Sequence, residues 1–195
     1  MPKLIDHDKR QEELAEATWR VIMREGISGV SIRTVAAEAG LSTGSLRHIF
    51  PTKSELLAHA MNLVEVRVRS RLAAHVGEAD TRTMVLAMVS ELLPLDEERR
   101  AEMDVNVALI AGAASDALVR RERDLAYEGL RDGCHVMLQH LAAAGLVRSD
   151  IDMAVETTNL HALIDGLALH MLIRDDQAFN TQAVRSIAAH LDSLR

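Results

Sequence analysis

Apolar residues recur along this chain at intervals of three and four positions, and runs of strict alternation between apolar and polar residues are short. The clearest example is SIRTVAAEA, where Ile32, Val35, Ala36 and Ala39 occupy positions i, i+3, i+4 and i+7. Residues at this spacing share one face of an α-helix, whereas a strand needs a period of two. The pattern therefore predicts an all-α fold whose helices each bury one face.

Glycine, proline and capping residues divide this pattern into about nine helices. Gly26, Gly40 and Gly145 each follow an apolar stripe, and Pro51 interrupts another, so helices are expected to end at these positions. The predicted helices cover residues 8–25, 31–39, 43–49, 53–76, 81–93, a run that begins after Asp96, 118–144, 150–173 and 181–194. The first three are expected to form a helix-turn-helix head and the later ones a helical bundle.

Charge is divided unevenly along the chain. Residues 1–55 contain eight basic and eight acidic residues and so carry no net charge. Residues 56–195 contain fourteen basic and twenty-one acidic residues and account for the whole formal charge of −7. We therefore expect two domains, a head over residues 1–55 and an acidic bundle over residues 56–195. Because charge acts only within roughly 8 Å at physiological salt, a neutral head with basic residues on one face can still bind DNA.

The composition excludes several classes of protein. A single cysteine, Cys134, rules out an intramolecular disulfide and a zinc site built from several cysteines. The chain has no apolar stretch long enough to span a membrane, and its charged start, MPKLIDHDKRQEELAEA, lacks the apolar core of a signal peptide. We expect a cytoplasmic protein with no membrane partner, no metal and no cofactor.

Residues 31–57 carry the pattern that is most informative about function. Two short predicted helices meet at the sequence AGLS, with glycine at the corner, which is the layout of a helix-turn-helix. In that motif the first helix supports the second, which enters the major groove of DNA. The helix pair alone fits any small three-helix unit equally well. The segment as a whole, in which this helix pair is followed by a proline, a lysine and a capping box, favours DNA binding.

The predicted DNA contacts follow from side-chain size, charge and position. Small polar residues at the start of the second helix let it approach DNA closely, and its backbone N–H groups can then meet a phosphate. Lys53 is placed to neutralise a phosphate, and Arg33 to reach a guanine edge or a phosphate. The full predicted set is Arg33, Thr34, Ser42, Thr43, Gly44, Ser45, Arg47, His48 and Lys53.

Residues 44–56 of this segment resemble the TetR family of bacterial transcriptional regulators. The family's pattern near the recognition helix is roughly G-[TS]-[LI]-Y-x-[HY]-F-x-x-K-x-x-L. The matching positions are Gly44, Ser45, Leu46, Phe50, Lys53 and Leu56. Arg47 stands where a tyrosine commonly contacts phosphate and can supply that contact itself, and Ile49 stands where histidine or tyrosine is common. His48 followed by FPTK is similar to the BetI-like subgroup. The clear resemblance covers about residues 8–60.

The resemblance implies a ligand-responsive repressor that binds a palindromic DNA operator as a homodimer and is released by a small molecule. Its C-terminal domain would bind the effector and pair with a second copy through the helices at 150–173 and 181–194. Ala162 and Gly166, four residues apart, offer a low-volume face where helices can approach closely. Ordinary packing within the chain would use the same small residues, but reading a palindrome requires a two-fold partner.

Candidate effector contacts occupy the expected inward faces of the later helices. They are Met61, Met88, Met103, Val107, Cys134, Met137, His161 and Asp165. Methionine suits an adaptable cavity, although most methionine stripes form plain core. His161 and Asp165 can contact each other or a ligand, and the spacing gives no third ligand for a metal. The scarcity of aromatic residues disfavours an aromatic cage for a quaternary ammonium such as choline. It favours an aliphatic or flexible ligand, or a cation held by a carboxylate such as Asp165.

Two other functions stay open on the sequence. A helical interaction module would keep the helix-turn-helix only as a scaffold, and an exposed basic surface around Arg33, Arg47 and Lys53 separates a DNA-binding protein from that alternative. An enzyme would need reactive groups in a recognisable arrangement. The chain contains no nucleophile elbow, phosphate-binding glycine loop or H-E-x-x-H motif, and Cys134 lies in an apolar stripe without an evident base.

Overall fold

All regular structure in the described residues is helical. The computed structural model describes residues 3–77, 80–112, 117–174 and 176–195. Its helices are α1 (Lys3–Gly29), α2 (Ile32–Glu38), α3 (Thr43–Ile49), α4 (Lys53–Ala74), α5 (Thr81–Glu91), α6 (Glu97–Gly112), α7 (Ala117–Ala143), α8 (Met153–Ile173) and α9 (Gln177–Ser193). This confirms the all-α prediction. Among the described helices, none combines the length and apolar character needed to cross a bilayer.

Two tight connections join the first three helices, and their caps agree with the sequence prediction. The hydroxyl of Ser31 accepts a hydrogen bond from the Thr34 amide at 3.1 Å, and the Thr34 hydroxyl accepts one from the Ser31 amide at 2.9 Å. Gly40 has a φ of +66°, a left-handed conformation that glycine adopts without steric cost. Ser42 then caps α3. These local interactions fix the corner of the helix-turn-helix.

The buried faces of the first helices form the core of the head, as the apolar spacing predicts. Val35 and Ala36 of α2 and Leu46 of α3 are at most 1% exposed. Phe50, directly after α3, is also buried, and its ring centroid lies 4.4 Å from that of His59 on α4. Burial lowers the pKa of His59, so its ring is mainly neutral at pH 7. The inner side of α3 is thus held by apolar contacts.

The starts of α8 and α9 differ from the sequence prediction because of local capping interactions. At Gly26 the prediction is confirmed, because its φ of +68° and ψ of 178° are not helical: the long segment of α1 ends there in a kink, and only a short segment follows to Gly29. α8 begins three residues later than the apolar pattern predicts, since Asp152 accepts hydrogen bonds from two amides of the first turn at 3.0 and 3.2 Å. α9 begins earlier, because Asp176 caps it by accepting an amide hydrogen bond at 2.6 Å.

The described chain forms two compact units. The first comprises residues 1–67 and 101–125 and contains the whole of the predicted head. The second comprises residues 68–100 and 126–195, in which α8 packs against α9. Within the second unit, Arg82 of α5 donates hydrogen bonds to both carboxylate oxygens of Asp192 at 2.8 and 2.7 Å. The predicted domain boundary at residue 55 lies inside α4 and stays a prediction.

Candidate nucleic-acid interface and effector region

The outward face of α3 is exposed from one end of the helix to the other. Leu46 is its buried residue and faces the core of the head. The predicted contact residues that are exposed are Arg33, Ser42, Thr43, Gly44, Ser45, Arg47, His48 and Lys53. Thr34 is half-buried. A helix that is buried on one side and open on the other has the geometry that groove insertion requires.

Three of the predicted contact residues use their hydroxyl groups inside the head. Ser42 Oγ accepts a hydrogen bond from the Ser45 amide at 3.0 Å and lies 2.9 Å from Ser45 Oγ. Thr34 Oγ1 donates to the Gly29 carbonyl at 2.7 Å. These groups shape the motif, and their contact with DNA stays a prediction. Capping and phosphate binding both use small hydroxyl side chains at helix starts, so the sequence pattern does not distinguish the two roles.

Gly44, the second residue of α3, is not required by packing within the chain. A Cβ atom at this position would meet the Ser42 Oγ at 3.7 Å, an ordinary van der Waals contact. The internal structure would therefore accept an alanine. The missing side chain instead leaves the outer side of the helix open to a close approach by another molecule, such as the DNA backbone.

The basic side chains around α3 differ in how far the head already uses them. Lys53 donates a hydrogen bond from Nζ to the Ile27 carbonyl at 3.0 Å, which fastens the start of α4 to the end of α1. An ammonium group has three donors, so Lys53 keeps others for a phosphate. Arg33 and Arg47 form no ion pair with any residue in the described ranges. Their guanidinium groups are therefore available to an external anion.

Two arginines of α1 bind the same carboxylate of α2, that of Glu38. Arg20 Nε and Arg24 Nη1 each donate to Glu38, with distances of 2.7 Å in both cases. The hydrogen bond from Arg20, followed by that from Arg24, holds the pKa of the Glu38 carboxyl below its ordinary value. Both arginines thus brace the motif, and the Glu38 carboxylate offsets part of their charge. This contact was not predicted from the sequence, where its signal is the pair of arginines four positions apart on α1.

The residues predicted to contact an effector are divided between the two units. Those in the first unit are Met61, Met103 and Val107. Those in the second unit are Met88, Cys134, Met137, His161 and Asp165. Met103, Val107 and Asp165 are half-buried and the other five are buried. Of these residues, His161 and Asp165 are in direct contact.

Cys134 of α7 and the pair His161 and Asp165 of α8 form a cluster that Tyr127 of α7 joins. His161 Nε2 lies 3.2 Å from Asp165 Oδ2, and the Tyr127 and His161 ring centroids are 4.7 Å apart. Burial raises the pKa of Asp165, an effect that His161 partly offsets. Tyr127, which is 53% exposed, lies seven positions before Cys134 on the same face of α7 and is not among the effector residues predicted from the sequence. Among the described residues, no three potential ligands are placed to hold a metal ion.

Cys134 is expected to resist alkylation in the folded protein. Its side chain is fully buried, and burial, with the nearby Asp165 carboxylate second, raises the pKa of the thiol to about 12. The reactive thiolate is therefore scarce at neutral and mildly alkaline pH. Iodoacetamide followed by mass spectrometry should leave the native protein unmodified and modify the guanidinium-denatured protein. Rapid modification of the native protein would contradict this placement of Cys134.

The exposed helix α3, its buried support α2 and the glycine corner between them define a helix-turn-helix DNA-binding protein. Two family models match the chain. Residues 14–60 match bacterial regulatory proteins of the tetR family, and residues 81–195 match the C-terminal domain of BetI-type transcriptional repressors. The chain belongs to the TetR family of bacterial transcriptional regulators, which confirms the resemblance at residues 44–56. Members of this family are transcriptional regulators and not enzymes.

Relatives and solved structures support the same family over the whole chain. The chain is 38% identical over 198 residues to the HTH-type transcriptional regulator PksA of Bacillus subtilis (strain 168), covering 100% of this chain and 94% of that protein. A transcriptional regulator from Rhodococcus sp. Rha1 matches with a TM-score of 0.78 at 27% identity, covering 94% of this chain and 95% of that one. A transcriptional regulator from Saccharomonospora viridis, solved in complex with choline, matches with a TM-score of 0.76 at 24% identity, covering 95% of each chain. The last likeness shows the fold alone.

Proposed function

We propose that this protein is a homodimeric repressor that acts in the cytoplasm, binds a palindromic DNA operator and releases it when a small molecule binds its C-terminal domain. The observation that carries this proposal is the exposed outer face of α3, set on a buried support, with an Arg47 guanidinium that no described residue neutralises. A scaffold-only motif has no need of an open basic face. The match of residues 81–195 to BetI-type transcriptional repressors supports repression as opposed to activation.

An uncharged stripe along α8 supports pairing through this helix. Val155, Leu169 and Ile173 are 51%, 44% and 72% exposed and share one face of α8. Contiguous exposed apolar patches mark interaction sites, whereas single exposed apolar residues are common. Ala162 and Gly166 lie between them on the same face and are also exposed. A Cβ at Gly166 would meet no atom within 4 Å, so the chain itself does not require a glycine there. A second copy of α8 could approach closely along this stripe, with α9 packed beside it.

The cluster of Tyr127, Cys134, His161 and Asp165 is the proposed effector region of the second unit. It combines an accessible aromatic ring with a half-buried carboxylate whose pKa is raised by burial, a combination typical of functional sites. The choline complex of the Saccharomonospora viridis regulator suggests a cationic ligand. A quaternary ammonium prefers a cage of several aromatic rings, and Tyr127 is the single tyrosine of the chain. An aliphatic or flexible ligand, or a cation held by Asp165, therefore fits this region better.

Release of DNA follows from a shift between two conformations of the dimer. The two recognition helices must sit roughly 34 Å apart to enter successive major grooves. An effector that binds more tightly to a conformation with a different spacing weakens the binding of both heads at once. An effector with equal affinity for both conformations would leave DNA binding unchanged. The second unit thereby regulates the head without touching DNA.

The proposal is tested by selecting genomic fragments with the purified protein and then measuring affinity for the selected duplex. We expect a palindromic site. We also expect Arg47→Ala combined with Lys53→Ala to weaken binding by roughly tenfold to a hundredfold while the melting temperature stays within a few degrees. The plot of log affinity against log salt should flatten by about one unit for each phosphate that the variant no longer neutralises.

The matched control is Arg131→Ala combined with Arg185→Ala, which removes two exposed arginines outside the head. This control should bind the duplex like the wild type, because distant surface charges are screened at physiological salt. Equal affinity of the Arg47/Lys53 variant and the wild type at several salt concentrations would discard DNA binding through this face. It would favour the helix-turn-helix as a scaffold only.

A further inference from the structure

Arg67 of α4 is bound to α1 through both its charge and its flat face. Its Nη2 atom lies 3.1 Å from Oε2 and 3.3 Å from Oε1 of Glu16. Its Cζ atom lies 4.9 Å from the ring centroid of Trp19, which is 5% exposed. Because Glu16 and Trp19 are three positions apart, they share one face of α1. The guanidinium group thus contacts a carboxylate and an indole at the same time.

Lys53 provides a second attachment between α4 and α1. Its Nζ atom donates to the Ile27 carbonyl at 3.0 Å, in the short segment of α1 that follows the kink at Gly26. Lys53 and Arg67 are fourteen positions apart, which corresponds to about 21 Å along a helix. A helix held at one point can pivot about that point, whereas a helix held at two distant points cannot. Between these two points α4 also buries apolar side chains, and the two polar contacts add to that packing in restricting the direction of α4 relative to α1.

The position of Arg67 in the chain makes its contact with α1 relevant to regulation. It lies beyond residues 14–60, the stretch that matches the family's head, and it is the last residue of the first unit before the chain enters the second. α4 continues from Arg67 to Ala74 without a break. A change in the direction of α4 that begins beyond Arg67 therefore reaches the head through the residues that Arg67 holds against α1.

We propose that Arg67 is a positioning residue for DNA binding, which locks α4 to α1 so that the helix-turn-helix moves with α4 as one body. This inference rests on the proposed function. Arginine suits the role because its planar guanidinium can stack on an indole while it hydrogen-bonds to a carboxylate. A lysine keeps the charge but loses the flat face and the forked geometry.

The test compares Arg67→Met and Arg67→Lys in the full-length protein, with fluorescence anisotropy on the duplex recovered by genomic selection. We expect Arg67→Met to weaken DNA binding about tenfold, in the range typical of coupling between sites, and Arg67→Lys to lie between it and the wild type. Arg10→Met is the matched control, since Arg10 pairs with Glu13 inside α1 at 3.6 Å and forms no ion pair with another helix among the described residues. That control should bind like the wild type.

A second readout separates positioning from loss of stability. A nitroxide on Met23→Cys, an exposed position of α1, gives one label per copy because the native Cys134 is fully buried. Pulsed electron spin resonance then measures the distance between the two heads of a dimer. We expect Arg67→Met to broaden this distance distribution, with an unchanged melting temperature, and Arg10→Met to leave it narrow.

Three outcomes would overturn the role of Arg67. One is unchanged affinity in Arg67→Met, another is an unchanged distance distribution, and the third is an equal loss of affinity in Arg10→Met. In each of these cases the wild type still binds the duplex, and the proposed function stands. A wild-type protein that binds no DNA in the selection contradicts the proposed function and the Arg67 proposal together.

Discussion

Replacing Ala162 by glutamate should convert the protein into a folded monomer that no longer binds its operator measurably. Ala162 is exposed on α8 in the middle of the uncharged stripe between Val155 and Ile173. A single chain can accept the longer side chain there because it points to solvent. In a dimer paired along α8, the substitution places two carboxylates against each other near the two-fold axis, where their repulsion and desolvation are both unfavourable.

The expected loss of DNA affinity is large because the two heads bind as a linked pair. Once one head is bound, the other faces its half-site at an effective concentration that can raise the overall affinity by roughly 100-fold to 10,000-fold. A monomer loses this gain entirely while each head keeps its own contacts. Analytical ultracentrifugation and anisotropy with the selected duplex measure the two effects on the same sample.

Ala142→Glu serves as the matched control, because Ala142 is also an exposed alanine, close to the end of α7. That variant should stay dimeric and bind the operator like the wild type. If Ala162→Glu remains dimeric, then α8 is not the pairing surface, and the exposed stripe has another partner.

Replacing Phe50 by alanine should remove the support of the recognition helix and destabilise the protein by about 3–5 kcal/mol. Phe50 is 1% exposed, directly follows α3 and packs against the ring of His59 on α4. Deleting a buried aromatic side chain loses its transfer energy and leaves a cavity that neighbouring atoms fill only in part. Since whole domains are stable by only about 5–15 kcal/mol, this loss is a large share of the total stability.

Guanidinium unfolding followed by circular dichroism, at one fixed protein concentration, measures this loss. Met23→Ala is the control, because Met23 is 40% exposed on α1, and surface substitutions usually change stability by about 0.5 kcal/mol or less. An unfolding midpoint of Phe50→Ala equal to that of the wild type would mean that Phe50 does not brace α3.

The head was predictable from the sequence because its structure depends on contacts between residues close in the chain. The caps at Ser31 and Ser42, the left-handed Gly40 and the buried faces of α2 and α3 all lie within about twenty residues. Each is a choice between a few local conformations, and each residue type favours one of them. The exposed outer face of α3 then follows from the period of the helix.

The bundle was predictable only as a set of helices. α8 carries apolar residues on nearly all sides, so the period of its pattern does not reveal which side faces solvent. The exposure of Val155 and Ile173, and the contact of Tyr127 with His161, appear only when α7 and α8 are placed together. The apolar pattern therefore predicts a set of effector residues without their arrangement, and the structure places five of them in one unit and three in the other.

The sequence by itself determined the helices, the corner of the motif and the family to which its residues belong. Tertiary structure alone decided which charged side chains bind within the chain. Arg20 and Arg24 donate hydrogen bonds to Glu38. Lys53 donates to the Ile27 carbonyl, and Arg67 donates to Glu16. The physical reason is range. Helix caps and periodic faces are set by neighbours along the chain, whereas an ion pair between helices forms only where packing of the apolar faces brings distant residues within hydrogen-bonding distance.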